Sequence, residues 1–223
     1  MRSLTSAEEN QYEDEGYLLV SGLISAHIAE AAESAMWREL GASRDDPAGW
    51  VNVPTKHGVF ESPELIECYT PELISAAARL AGENASLFRA PARGYAINVF
   101  PQGGEWEWPR PHIDHSIKED GYKTFPRAFR IAAMVYLNDV PSHGAGTVVW
   151  PESHSTLDTL GRSDPERYEL MWTLNQALMQ IALADPVELT PRIGDVLFYH
   201  YLCAHAGSKN CSRTPRLALN MKW

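Results

Sequence analysis

Cysteine is scarce in this 223-residue chain. Cys68, Cys203 and Cys211 are odd in number and none forms a CxxC pair, which excludes a disulfide framework or a zinc ribbon and points to a reducing, cytoplasmic setting. Long apolar runs are missing too. The longest, Ile131 to Leu137, has seven residues, far below the ~20 that cross a bilayer, so no membrane partner is expected. The opening MRSLTSAEENQYEDEG has no apolar core behind Arg2 and is not expected to act as a secretory leader. Basic residues are in deficit, 19 Lys+Arg against 29 Asp+Glu for a net charge of −10. A general nucleic-acid partner is therefore excluded, since phosphate binding needs a basic face. No fixed-period repeat or low-complexity tract is visible.

The charge is uneven. Residues 1–50 carry a net of −7, whereas residues 192–223 carry Arg192, Lys209, Arg213, Arg216 and Lys222 against Asp195 alone. A basic terminal segment on an acidic chain can be a chance tail or a handle for a small anion.

The first 85 residues read as mainly helical. Thr5-x-x-Glu8 and Ser6-x-x-Glu9 fit capping boxes, and Gly16 is a stop before the short strand Tyr17–Val20. Ser25 caps a helix to about Leu40, and Ser62-Pro63-Glu64 and Thr70-Pro71-Glu72 each place a capping hydroxyl before a first-turn proline. After residue 86 the pattern becomes short β-rich stretches: 87–90, 94–100, 111–116, 129–137, 147–150, 186–190, 195–204 and 216–223. About eight strands without crossover helices predict an antiparallel barrel or jelly roll. One helix is expected within it, near 164–184, with Asp164 as cap and Pro165 at its first position. No boundary is visible, so 1–223 is expected to form one domain, with 1–85 as helical support and 86–223 as the jelly-roll core.

Six of the eight histidines lie between 112 and 205. In Pro111-His112-Ile113-Asp114-His115, strand alternation sends His112 and Asp114 to one side. With one further ligand they would form a two-His, one-carboxylate face that leaves half of an octahedral iron open. The segment Gly194-Asp195…His205…Asn210…Arg216 reads as a strand, a turn and a returning strand that brings Arg216 near the level of His205. A guanidinium beside a metal-ligating imidazole suits a dicarboxylate whose far end pairs with the arginine.

These segments, with Leu4-Thr5-x-Ala7-Glu8-x-x-Gln11-Tyr12-x-x-Glu15-Gly16-Tyr17-Leu18-Leu19-Val20, Tyr136-Leu-Asn-Asp-Val140 and Gly146-Thr-Val-Val-Trp-Pro-Glu-Ser-His154, resemble the phytanoyl-CoA dioxygenase superfamily of Fe(II)/2-oxoglutarate oxygenases over nearly the whole chain. The resemblance implies a double-stranded β-helix, His112, Asp114 and His205 as iron ligands, and Arg216 as the anchor for 2-oxoglutarate. It also implies O2 as co-reactant, a small-molecule substrate, and C–H hydroxylation with release of succinate and CO2. Retention of Asp114 favours hydroxylation over halogenation, because halogenases of this type lose that carboxylate. Two departures stand out. Glu152 replaces the usual glycine of the Pro-Gly-Ser-His turn, and Gly207 stands where a Ser or Thr often helps bind the co-substrate.

Around these residues, Asn98 could hydrogen-bond the metal end of the co-substrate, or be a plain strand residue. His115, His154 and His200 read as neighbours or packing groups, and Arg130 as an arginine in need of a partner. Trp106, Trp108, Trp150 and Trp172 read as packing or a flat substrate wall, and Lys118, Lys123 and Arg127 as a solvated loop or an anion clamp. Two rival readings are kept. His112-x-Asp114-His115 is part of a zinc-hydrolase motif, His-x-His-x-Asp-His, but position 110 is Arg110. A non-catalytic metabolite-binding jelly roll is the other.

Overall fold

The run Ile131–Leu137 is apolar at every position because the strand it forms, β4 (Ala132–Tyr136), is buried on both faces. Ile131, Ala133, Val135 and Leu137 pack toward the N-terminal helices, whereas Ala132, Met134 and Tyr136 face a second core. The computed structural model describes residues 3–53 and 57–223; Met1 and Arg2, at the head of the segment tested for a leader, lie outside that range. Around β4 run β1 (Tyr17–Val20), β2 (His57–Phe60), β3 (Gly94–Ile97), β7 (Val196–Tyr199) and β9 (Ala218–Lys222). Together they make a six-stranded antiparallel sheet in the order β1-β7-β4-β9-β3-β2. A smaller antiparallel sheet holds β6 (Val187–Glu188), β5 (Thr147–Val149) and β8 (His205–Gly207) in the order β6-β5-β8. Side chains of both sheets meet in the second core, with Tyr136, Leu197, Tyr199 and Ala218 against Val148, Val149 and Ala206. This is the jelly-roll arrangement.

The outer face of the large sheet is covered by α1 (Ser6–Glu15), α2 (Ala26–Glu39), α3 (Pro63–Glu67) and α4 (Pro71–Leu80). Thr5 and Glu8 close the expected capping box, and Gly16 ends α1 in the left-handed region. Thr70 accepts from Leu73 N–H as its cap, but Ser62 makes no side-chain cap bond. The helical region also contains β2, which extends the sheet edge beyond β3. No helix among the described residues is long and apolar enough to cross a membrane.

Three expectations are revised. The 164–184 segment is helical only at α6 (Met171–Ala177), and Asp164 closes the preceding α5 (Ser153–Ser163) rather than opening a helix. Residues 87–90 form no strand, and 111–116 contribute a single bridge at His112. Most consequentially, 195–204 is not one strand. The chain leaves the large sheet after Tyr199, turns with Cys203 N–H bonded to His200 C=O (2.9 Å), and enters the small sheet at His205.

Candidate metal and dicarboxylate site

His112 and His205 exchange both backbone hydrogen bonds, at 3.0 and 2.9 Å. Such a pair carries its side chains on one face, and the two imidazole centroids stand 4.5 Å apart. Asp114 follows in a turn. Between them the Ile113 side chain is fully buried and its N–H donates to Asn175 Oδ1 of α6 (2.8 Å), so the inserted helix pins the motif. One ligand atom each from His112, Asp114 and His205 lies within 4.8 Å of the others, the one such cluster among the described residues.

The hydrogen bonds set the donor atoms. His205 Nδ1 is 2.9 Å from Cys203 C=O. A carbonyl only accepts, so Nδ1 carries a proton, and Nε2, 3.6 Å from Asp114 Oδ2, is the atom on the side of the cluster. Burial, helped by the His205 imidazole, lowers the His112 pKa to about 4. Burial pushes Asp114 upward, but the neighbouring His205 and Lys222 outweigh it and hold the carboxyl at about 2. At neutral pH His112 is therefore neutral and Asp114 ionised, which is what a divalent ion requires. Both Asp114 oxygens are tied: Oδ1 pairs with Lys222 Nζ (2.9 Å), and Oδ2 accepts from Tyr199 OH (3.0 Å), itself held by Asn220 Nδ2 (3.2 Å).

Beside the triad lies a cavity of about 180 Å³. Arg216, 1% exposed, reaches it from the large sheet, its Nη1 donating to Ala145 C=O (2.9 Å) and its Nη2 to Ile97 C=O (3.2 Å). Its Nε has no partner among the described residues. Burial pulls the guanidinium below its usual pKa, a cost that a carboxylate partner would relieve. Thr147, whose Oγ1 lies 2.8 Å from Tyr136 OH, and Gly207 also line the cavity.

The structure thus brings His112, Asp114, His205 and Arg216 to one cavity, although by another route than a hairpin. Arg216 bridges Val99 and leads into β9, in the sheet opposite β8. Asn98 is corrected outright. Ile97 lines the cavity, and the next residue points to the other face, where Asn98 Oδ1 accepts from Ala218 N–H (3.2 Å) and Nδ2 meets Met36 Sδ (3.3 Å). His115 packs on Tyr122 and Phe129 with a positive φ. None of the four tryptophans lines the cavity; Trp106 stacks on His143. Lys123 pairs with Glu169, and Arg127 and Arg130 both pair with Glu83. Sequence reasoning gave no site role to Thr147, Tyr199 and Asn220, and counted Lys222 only within the basic terminal segment. The last two were findable, since Asn220 and Lys222 stand four and six residues after Arg216 and so share its strand face.

A model of the phytanoyl-CoA dioxygenase family matches residues 12–218. None of the curated proteins matches the sequence. Among solved structures, the chain is similar to the non-heme alpha ketoglutarate dependent carbocyclase SnoK from nogalamycin biosynthesis (20% identity, 98% of this chain and 83% of that one, TM-score 0.65). It is also similar to EvdO2 from Micromonospora carbonacea var. aurantiaca complexed with 2-oxoglutarate (15%, 98% and 90%, 0.63). A third is EctD from S. alaskensis with bound Fe (16%, 97% and 76%, 0.62). At these identities the likeness establishes the shared fold.

Proposed function

Because the chain belongs to the phytanoyl-CoA dioxygenase family, we propose that it is an Fe(II)/2-oxoglutarate-dependent oxygenase that hydroxylates a C–H bond of a small metabolite or natural-product intermediate. The observation that carries this reading is that the three-residue donor cluster lines the same cavity as the buried Arg216, whose Nε has no partner among the described residues. The donor set fits iron, since two imidazoles and one carboxylate leave positions for further ligands. The orphaned guanidinium edge fits the far carboxylate of 2-oxoglutarate. When bound, the pair supplies oxidation of 2-oxoglutarate by O2 to succinate and CO2, coupled to oxidation of the substrate.

The protein's own residues hold and orient. His112 and His205 present lone pairs, with the Cys203 carbonyl fixing the His205 tautomer. Tyr199 and Lys222 hold the two Asp114 oxygens. Similar structures include one with Fe and one with 2-oxoglutarate, and their activities include a carbocyclase and an epimerase. Hydroxylation is the reading for this chain because it is the default outcome of this chemistry, and the retained Asp114 favours it over halogenation. The whole of 1–223 is taken as one catalytic unit, since the N-terminal helices and the large sheet share a core. The zinc-hydrolase reading draws no support from the geometry, as Arg110 is exposed and His115 is packed away from the cluster.

The test is anaerobic titration of Fe(II) or Mn(II) and then 2-oxoglutarate, followed by succinate release on admitting O2. Wild-type protein should bind both and release succinate slowly without substrate. Asp114→Ala should lose the metal, and Arg216→Met the co-substrate. A wild-type protein that takes up metal but shows no binding of 2-oxoglutarate overturns this function.

A further inference from the structure

Arg216, Asn220 and Lys222 mark one face of a single extended segment that runs through the cavity. At the usual strand rise, Arg216 and Lys222 are separated by about 20 Å of chain. The inner end, Arg216, is almost wholly buried. The middle, Asn220, reaches Asp114 through the Tyr199 hydroxyl. The outer end, Lys222, has a side chain 27% exposed and lies 2.9 Å from Asp114 Oδ1 and 5.7 Å from the centroid of the Phe129 ring. The segment therefore carries one cation on each side of the donor cluster, and the Arg216 end is the one taken by the co-substrate.

We propose that Lys222 selects the main substrate by an anionic group, so that this protein acts on small carboxylate-bearing (or similarly anionic) molecules. The proposal rests on the Fe(II)/2-oxoglutarate reading and goes beyond it to the substrate class. Three facts carry it. First, the ammonium has three donors and only Asp114 takes one among the described residues. Second, the lining holds three charged side chains, Asp114, Arg216 and Lys222. With a divalent ion and doubly charged 2-oxoglutarate in place, their formal charges leave one positive charge in excess. Lys222, at the partly exposed outer end, carries that excess, so a substrate anion arriving there is attracted and neutralises it. Third, two other cations of the region are spent elsewhere, Lys123 on Glu169 and Arg127 on Glu83. Asp114 itself does not use up Lys222. Once its carboxylate shares its charge with a metal ion, its pull on the ammonium weakens, and Tyr199 still orients it.

The test uses matched acids and amides of equal shape: phenylacetate with phenylacetamide, benzoate with benzamide, cyclohexanecarboxylate with its amide. Mn(II) and saturating 2-oxoglutarate are titrated first, and probe binding is then read by Mn(II)-induced NMR relaxation of the probe protons. At least one acid should bind wild-type protein about tenfold more tightly than its amide, the size of one charge-assisted hydrogen bond. Lys222→Arg should keep the preference, and Lys222→Met and Lys222→Gln should bring it close to unity. Equal binding of every acid and its amide, or a preference that survives in both neutral variants, overturns the proposal while the oxygenase reading stands. Failure of the first titration overturns the oxygenase reading and the proposal together.

Discussion

Thr147 stands directly across from Gly207 in the β5–β8 pair, and both face the cavity that Arg216 enters. A Cβ built on Gly207 would meet nothing within 4 Å. The hydroxyl that related sequences often carry two residues after the distal histidine is missing here, and the space it would fill is open. Its cross-strand partner supplies a hydroxyl at the same level. Tyr136 OH, fully buried 2.8 Å from Thr147 Oγ1, can donate to that oxygen, and the Thr147 proton, which goes to the weak acceptor Met134 Sδ at 3.5 Å, can turn to a carboxylate instead.

Thr147→Val keeps the shape and removes the hydroxyl. We expect the dissociation constant for 2-oxoglutarate on Mn(II)-loaded protein to rise about tenfold, as for loss of one hydrogen bond to a charged group, with metal affinity unchanged. Adding Gly207→Ser to that variant should recover part of the loss. An unchanged constant in Thr147→Val would remove this residue from the binding site.

His200 predicts how stability depends on pH. Burial, with the nearby His154, lowers its pKa to about 4, and its Nδ1 accepts from Leu202 N–H (3.2 Å), a bond that protonation would destroy. In the unfolded chain the group returns to about 6.5. Between these values the unfolded state binds more protons than the native one, so stability rises with pH across that window and is level above it. The full effect is about 3 kcal/mol. His200→Asn keeps an acceptor but does not titrate. Urea unfolding should show wild-type protein losing about 3 kcal/mol more than His200→Asn between pH 7 and pH 4. Parallel losses would show that His200 is protonated in the native state.

Glu152 sits at φ +62° just before α5. A residue with a Cβ pays about 1–2 kcal/mol in this left-handed region, which accounts for the glycine that the family favours there. Its N–H is bonded to Glu15 C=O and its own carbonyl accepts from Thr156 N–H, so the backbone is held in place. Glu152→Gly should raise the unfolding free energy by about 1 kcal/mol, read from the denaturation midpoint without change in slope. A lower midpoint would place a needed interaction on the Glu152 side chain.

Much of the site was legible because its parts are close in the chain. His112 and Asp114 are two residues apart, the caps at Thr5 and Thr70 precede their helices directly, and the Ile131–Leu137 run announces a strand buried on both faces. Asn98 was misread because a shift of one residue on a strand reverses the face, and no local feature showed which of residues 97 and 98 would face the cavity. The helix near 164–184 was placed too early because Asp164-Pro165 carries a start signal whose N–H acceptor, Asp164 Oδ1, serves only the short turn at Arg167.

The linear order of residues was enough to predict a β-rich core and to put forward His112, Asp114, His205 and Arg216 as candidates, because strand periodicity and the HxD spacing are local and the resemblance supplied the rest. It was not enough to say that the chain changes sheets between Tyr199 and His205, that Thr147 faces Gly207, or that Lys222 and Tyr199 grip Asp114. Those relations join residues up to 108 positions apart. They are set by which strands pair and in what register, a choice made by the packing of two cores around β4 and not by any short stretch of sequence.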